Sequence, residues 1–159
     1  MFRLEHPQDF DLLLVSDGSY GLSRSGRACK FSAPASTRGV AKLYTVASGG
    51  VLLYVGIAGQ PMSSRLNYGF RAAGKGGYHG YKWKGLRHSL QLSVWTAYCG
   101  EQRASLREME TVEAEVAFLC RHASGQWPQY QHEIHFYPSE QTHRDAARRI
   151  YDKATTKST

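Results

Sequence analysis

The middle of this sequence lacks acidic residues. No Asp or Glu occurs between Asp17 and Glu101, although the 159 residues include 13 acidic and 20 basic side chains and carry a formal net charge of +7. Residues 39–100 hold the whole positive excess, and the segments on either side are close to neutral. Because solvated surfaces normally mix both signs, this stretch predicts an anionic partner. Nucleic acid is the first expectation, ahead of a membrane surface or a phosphorylated metabolite.

Long apolar runs and cysteine are also scarce. No run approaches the ~18 residues that a membrane-spanning helix needs, and the first twenty residues hold four acidic side chains rather than a secretory pattern. Cys29, Cys99 and Cys120 are odd in number, far apart and outside any zinc-ligand spacing. We therefore expect a cytoplasmic protein with free thiols and no membrane segment.

Hydrophobic patterns place most of the expected elements. The runs 40–46 and 51–55 favour strands and are joined by a Gly-Gly turn, which predicts a hairpin. A helix should begin near Pro61, with Ser63 or a neighbour as its cap. Downstream, the patterns predict an irregular segment, a strand, a long helix capped by Ser105, a closing strand and a basic helix, at 69–85, 91–98, 105–122, 133–137 and 143–153.

This order predicts an α/β fold of the α+β kind, a single domain with a small, mostly antiparallel sheet flanked by helices. Residues 39–137 form the expected core. Residues 1–38 are expected as an N-terminal extension, partly loop, and residues 138–159 as a basic C-terminal helix and tail. The apolar run 10–15 fits either a strand or a helix.

Two tyrosine motifs lie in the predicted hairpin. A Lys-Leu-Tyr triplet ends at Tyr44, Tyr54 begins a Tyr-Val-Gly triplet, Arg65 follows in the next helix and Glu115 lies on the long helix. This pattern resembles the GIY-YIG nuclease superfamily over roughly residues 39–136. The stretch 53–66 resembles the UvrC-type excinuclease nuclease domain, and the compact chain with its basic loop is similar to the Eco29kI-like restriction endonuclease branch.

The resemblance implies a metal-dependent DNA endonuclease with Mg²⁺ or Mn²⁺ as cofactor. Arg65 would clamp the transition state, because a guanidinium offers two parallel donors to a phosphate. Glu115 would hold the metal, since one carboxylate is enough for a hydrated Mg²⁺; Glu113 is the alternative ligand. The competing hypothesis is a nucleic-acid-binding module on the same fold without cleavage.

A water nucleophile needs a base, and three residues are candidates for it. We assign Tyr44 as the base and Tyr54 as its partner or as a phosphate positioner, with His79 as a further option. A tyrosine with a pKa near ~10 can serve only if cations stabilise its phenolate. The acid-free surroundings predict such a lowered pKa.

Cations alternate with aromatic residues in the segment 75–87. That composition suits a loop lying along a phosphate backbone, with rings that stack on bases. The residues expected to contact nucleic acid, including two from the hairpin, are Lys42, Gly56, Lys75, Lys82, Trp83, Lys84 and Arg87. DNA is the expected partner, RNA stays open, and the protein is expected to act as a monomer or a homodimer. His132 and His135, on either side of Glu133, hint weakly at a metal site.

Overall fold

The computed structural model describes residues 1–131 and 133–157. Over these residues the chain forms nine strands, three α-helices and one 3₁₀ turn at Lys75–Gly77. The helices are α1 (Met62–Arg71), α2 (Leu106–Ser124) and α3 (Gln141–Thr155). The strands are β1 (Phe2–Leu4), β2 (Gln8–Leu14), β3 (Tyr20–Arg24), β4 (Arg27–Ala28), β5 (Lys42–Ser48), β6 (Val51–Ala58), β7 (Leu90–Trp95), β8 (Ala97–Cys99) and β9 (Gln102–Arg103).

The main sheet has six strands in the order β4-β3-β2-β7-β5-β6, and every neighbouring pair is antiparallel. A second sheet, β1-β8-β9, is smaller. The expected α+β fold with a mostly antiparallel sheet and flanking helices is therefore confirmed. The predicted hairpin is β5 and β6, with Gly49 and Gly50 at φ 58° and 81° in its turn, a conformation that glycine adopts at little cost.

The segment 1–38, expected as an extension, contributes three strands to the main sheet. The apolar run 10–15 lies largely in β2, which pairs with both β3 and β7. Phe10, Leu12 and Leu14 are buried because they lie at alternate positions and share one face of the strand. These side chains join the same apolar cluster as Leu92 of β7.

The sheet separates two apolar clusters. Leu43 and Ala47 of β5 pack on the side of α2 and α3, while Tyr44 and Val46 pack on the side of α1. This follows from the two-residue period of a strand, which sends neighbouring side chains to opposite faces. The alternation therefore places the first motif tyrosine in the layer beneath α1.

The long helix α2 matches its predicted ends. The Ser105 hydroxyl accepts a hydrogen bond from the Glu108 N–H at 3.2 Å, and Gly125 ends the helix at φ 80°. The basic helix is confirmed as α3. The cap expected from Ser63 is wrong, because Pro61 occupies the cap position of α1 and supplies no side-chain bond.

The closing strand predicted at 133–137 is also wrong, since none of those residues lies in a strand. The backbone of β6 beside it already has other partners. Gln131 accepts from the Val55 N–H at 3.0 Å and donates to the Val55 carbonyl at 2.8 Å, and the Tyr130 N–H donates to the Leu53 carbonyl at 3.0 Å. A side-chain amide thus satisfies part of the sheet edge that a strand would have covered.

The fold bears on two expectations, the absence of a membrane segment and the presence of free thiols. Among the described residues, no helix combines the length and the apolar character needed to cross a membrane. The three cysteines lie within that part of the chain, and none of them forms a disulfide.

Candidate functional site

Three tyrosines meet beneath α1. Tyr44 and Tyr54, from opposite strands of the hairpin, have ring centroids 5.8 Å apart, and Tyr81 arrives from the loop after α1. The Tyr44 and Tyr81 hydroxyls form a hydrogen bond of 2.7 Å, and the ring centroids of Tyr54 and Tyr81 lie 5.5 Å apart. All three side chains are buried. We call Tyr44, Tyr54 and Tyr81 the tyrosine cluster.

Two glycines make this packing fit. A Cβ on Gly56 would lie 2.8 Å from the Tyr54 hydroxyl and 2.9 Å from Cζ of Tyr44, and a Cβ on Gly69 would lie 2.1 Å from the Tyr81 ring. All three distances are too short for a Cβ unless the tyrosines shift. Gly56, expected to contact nucleic acid, is instead buried under the two hairpin tyrosines, so that expectation is corrected.

Arg65 projects from α1 over the tyrosine cluster. Its Cζ lies 4.6 Å from the centroid of the Tyr81 ring, and its Nη1 donates to the Tyr78 hydroxyl at 3.2 Å. None of the ion pairs among the described residues involves Arg65. Phenol groups therefore hold the guanidinium in place without neutralising it, and its positive charge is available to an anion.

The pKa values of the three clustered tyrosines are raised, not lowered as the sequence predicts. Burial raises the pKa of Tyr44 well above its usual value, and Arg65 opposes this rise only in part. Burial also raises the pKa of Tyr54 and of Tyr81. The predicted lowering by nearby cations is wrong, because the loss of solvent around a phenolate outweighs the attraction of one guanidinium. At neutral pH these tyrosines are neutral phenols that donate and accept hydrogen bonds.

Two carboxylates of α2 are candidates for the site, Glu113 and Glu115. Glu113 lies one helical turn from Met109 and from Ala117, both fully buried, so it belongs to the stripe of α2 that packs on the sheet from the side opposite α1. The negative charge of Glu113 contributes to the raised pKa of Tyr54. Glu115 lies on another flank of α2, where it accepts a hydrogen bond from the Ser139 hydroxyl at 2.7 Å. Glu113, the alternative that the sequence left open, is therefore favoured over Glu115 for the metal-ligand role, which stays a prediction.

Burial, with a smaller contribution from Glu110, raises the pKa of Glu113 to about 8 from an ordinary value of 4.5. In the folded protein without a cation, this carboxyl is therefore protonated over a range in which the unfolded chain is ionised. Folding takes up a proton between these two pKa values, so the free energy of unfolding falls as pH rises through that interval. Above about 8 the loss is complete, because the group is ionised in both states.

We expect the free energy of unfolding in EDTA to be greater at pH 5.5 than at pH 8.5 by an amount on the order of 2–3 kcal/mol that Glu113→Gln removes. Urea titrations of both proteins at each pH measure it. The difference between the two proteins isolates Glu113 from other titrating groups. An identical pH dependence in both would show that Glu113 does not carry a raised pKa.

Glu113 is the candidate carboxylate for a metal ion, and Glu110, whose charge acts on it, lies one helical turn before it on α2. Among the described residues, no three His, Cys, Asp or Glu side chains are grouped as metal ligands. Mg²⁺ commonly binds through one or two carboxylates, with water and substrate phosphate as the other ligands, so Glu113 fits that mode. A nearby cation would also favour the ionised form of Glu113. The weak hint from the histidines gains no support: His135 is exposed and pairs with Glu133 at 3.4 Å, and His132 lies outside the described residues.

Two residues expected to contact nucleic acid are buried. Lys42 is fully buried, and its Nζ donates to the carbonyls of Thr37 at 2.6 Å and Gln60 at 2.9 Å. Burial, with Arg38 nearby, lowers the pKa of Lys42 to about 8. Trp83 is also fully buried, and its ring stacks on Tyr81 at 4.4 Å. Both are corrections, because packing removes these side chains from the surface that a phosphate backbone could reach.

The other members of that set divide into two kinds. Lys84 donates to the carbonyls of Ala72 at 2.8 Å and His79 at 2.6 Å, so its ammonium holds the loop together. Lys75, Lys82 and Arg87 are exposed, although Arg87 also donates to two loop carbonyls. His79 is exposed, and the nearest atoms to a Cβ on Gly74 belong to its ring, at 2.8 Å. Among the described residues, no hydrogen bond or ring contact joins His79 to the tyrosine cluster.

Sequence reasoning missed the roles of Tyr78 and Tyr81. The sequence places Tyr81 in the segment 75–87, expected to lie along a phosphate backbone, and does not single out Tyr78. A partial signal exists in the glycines: Gly80 has φ +82°, and a Cβ there would lie 2.1 Å from the Gly69 carbonyl oxygen. Such a close approach of two backbone segments fixes where Tyr81 enters the cluster, but it depends on tertiary packing. Comparison of the chain with protein-family models, curated proteins and solved structures found no significant match.

Proposed function

We propose that this protein is a metal-dependent DNA endonuclease that hydrolyses phosphodiester bonds at the tyrosine cluster, Arg65 and Glu113. One observation carries the proposal: Arg65, which forms no ion pair among the described residues, lies against buried tyrosines, and the charge of Glu113 acts on one of them, Tyr54. Ionisable groups with shifted pKa values cluster at catalytic and binding sites. The acid-free segment 18–100, which supplies both strands of the hairpin and α1, favours an anionic substrate.

Each residue has a distinct role in this proposal. Arg65 binds the scissile phosphate and stabilises the charge that accumulates on its oxygens as water adds to phosphorus and the bond from phosphorus to the leaving oxygen breaks. A proton of the attacking water passes through solvent to that leaving oxygen, which departs as a hydroxyl. The neutral Tyr54 and Tyr44 phenols orient the phosphate and the attacking water by hydrogen bonds. Because Tyr44 is wholly buried and hydrogen-bonded to Tyr81, Tyr81 has to move aside before Tyr44 contacts substrate.

Glu113 would hold a Mg²⁺ or Mn²⁺ ion, which when bound supplies Lewis-acid stabilisation of the phosphate and the leaving oxygen. The partly buried position of Glu113 limits competition from bulk water for that carboxylate. The proposal includes DNA rather than RNA as the substrate, action as a monomer or homodimer, and a cytoplasmic location, in keeping with the unpaired thiols among the described residues.

The second candidate is a nucleic-acid-binding module without cleavage. The burial of Tyr44 and Tyr81 favours it, since buried phenols are poor bases and are common as packing residues. The unneutralised guanidinium of Arg65 would then serve only to bind a phosphate. The two candidates make the same prediction for binding and opposite predictions for cleavage.

Incubation of the full chain with supercoiled plasmid separates these candidates. We expect nicking with Mg²⁺ or Mn²⁺ and none with EDTA, while binding persists in EDTA and weakens as salt rises. Binding without nicking in either metal would support the binding module instead. Absence of salt-dependent binding would contradict both.

A further inference from the structure

A groove of about 780 Å³ runs along the outer side of α1, beside the site just described. Its walls include two tyrosines, two cations and small residues, among them Asn67, Tyr68, Arg71, Ala72, Lys75 and Tyr78. Of these, Tyr78 contacts Arg65, and the others have no part in the proposed cleavage chemistry. The groove therefore adjoins the site without belonging to it.

Tyr68 and Tyr78 form a stacked aromatic pair in this groove. Their ring centroids lie 4.9 Å apart with an angle of 16° between the planes. Tyr68 is 59% exposed, so an aromatic surface is left in contact with water. An apolar planar ligand that covered this ring would extend the stack and remove that surface from solvent.

The charges around the groove favour an anionic occupant. Arg71 and Lys75 line it and both are exposed, although the charge of Arg71 also acts on Asp17. Arg65 lies beyond Tyr78. All of the lining residues come from the acid-free part of the sequence. A planar ring and a negative charge occur together in a nucleotide, whose base stacks on aromatic side chains while its phosphate meets cations.

The groove also adjoins Arg65, the residue assigned to the scissile phosphate. The Tyr78 hydroxyl accepts a hydrogen bond from Arg65 Nη1 at 3.2 Å, so one side chain joins the stacked pair to the arginine assigned to the scissile phosphate. Gly76, which lines the groove, has φ +68°, and a Cβ there would meet no atom within 4 Å. This side of the groove thus leaves open space for a passing sugar-phosphate backbone.

We propose that this groove binds an unpaired base of the DNA strand, at the nucleotide next to the scissile phosphate. This proposal rests on the proposed nuclease function. A base inside a duplex is already stacked on both faces and cannot also cover Tyr68. A base in a single-stranded tail or at a junction has a free face. The substrate class is therefore DNA with an unpaired nucleotide beside the cut, rather than continuous duplex.

Fluorescence titration in EDTA tests this proposal without cleavage. The probes are a blunt duplex and the same duplex with a deoxyadenosine tail whose first unpaired base is 2-aminopurine, which loses fluorescence when it stacks. We expect the tailed duplex to bind about 10-fold tighter, with quenching, and Tyr68→Ala to remove most of that preference. Tyr68→Phe keeps the ring and should keep the preference.

Phe118→Ala is the matched control. Phe118 is 47% exposed on α2, so its loss removes an exposed aromatic ring that is no part of the groove, and the preference should persist. Equal affinity of the wild-type protein for both probes would overturn the proposal. So would Tyr68→Ala with unchanged preference, or a Tyr68→Ala protein that loses only self-association, which would assign the groove to a second copy.

A failure of the groove proposal and a failure of the nuclease proposal give different results. Plasmid nicking without any preference for the tailed duplex would overturn the groove assignment and leave the nuclease. Tail preference that depends on Tyr68, without nicking in Mg²⁺ or Mn²⁺, would support the groove as part of a binding module and overturn the nuclease.

Discussion

Glu113→Gln abolishes Mg²⁺-dependent nicking, with an expected loss of at least about 10³-fold in turnover, because several kcal/mol of charge stabilisation in the transition state depend on the metal ligand. The amide keeps the size of the side chain and removes its capacity to ionise. Single-turnover cleavage of a labelled duplex with an unpaired tail measures the effect. The same assay in Mn²⁺ checks whether a second metal restores activity.

DNA binding by Glu113→Gln should depend on pH in a defined way. In EDTA near pH 6.5 the carboxyl is already protonated, since its pKa is raised to about 8, so the variant and the wild type bind equally. At pH 9 the wild-type group is ionised and repels phosphate, so the variant binds more tightly. Titrations at both pH values separate this electrostatic effect from a loss of folding.

Glu115→Gln is the matched control on the same helix. It weakens the hydrogen bond from Ser139 and leaves the tyrosine cluster untouched, so we expect cleavage close to that of the wild type. A nuclease that tolerates Glu113→Gln and is inactivated by Glu115→Gln would contradict the assignment of Glu113. It would show that the metal is held on the flank of α2 facing Ser139.

Arg65→Ala lowers turnover by about 10³-fold and weakens DNA binding in EDTA by less than about 10-fold. The difference arises because the guanidinium contacts one phosphate among many in the ground state, but stabilises the charge that develops at that phosphate during hydrolysis. Comparison of the single-turnover rate with the equilibrium affinity measures the two effects.

Two further variants make the Arg65 result specific. Arg65→Lys keeps the charge without the planar pair of donors, so a partial recovery of turnover is expected. Arg148→Ala removes an exposed arginine of α3 that pairs with Asp152 at 3.9 Å, and it should leave both rate and affinity unchanged. Equal losses of rate and affinity in Arg65→Ala would make Arg65 a binding residue and would favour the non-catalytic module.

Local patterns predicted the elements whose signals lie within a few consecutive residues. The hairpin of β5 and β6 follows from two β-favouring runs and a Gly-Gly turn, and α2 follows from its apolar spacing and its Ser105 cap. The strand at 133–137 failed for a non-local reason. Gln131 bonds both backbone groups of Val55, a residue 76 positions away, and no periodicity reports such a contact.

In the candidate site, too, the residues close in sequence were predictable and those brought in by tertiary packing were not. The motif spacing brought Tyr44, Tyr54 and Arg65 into one expected site, because neighbouring strands and the following helix are close in sequence as well as in space. Tertiary packing brought Tyr81 to the Tyr44 hydroxyl from 37 residues downstream and raised the pKa of both phenols. Composition alone had suggested the opposite shift, because it counts nearby cations and does not include burial.

The sequence by itself determined the acid-free middle of the chain, the tyrosine hairpin and the amphipathic helix that brings a carboxylate towards it. Only the tertiary structure decided that Lys42 and Trp83 belong to the interior, and it favours Glu113 over Glu115 as the carboxylate of the proposed site. The physical reason is that charge and periodicity are properties of neighbouring residues, whereas burial depends on which distant segments pack together. The positive middle segment thus contains a buried tyrosine core, and it exposes Tyr68 together with four of its cations, Arg71, Lys75, Lys82 and Arg87.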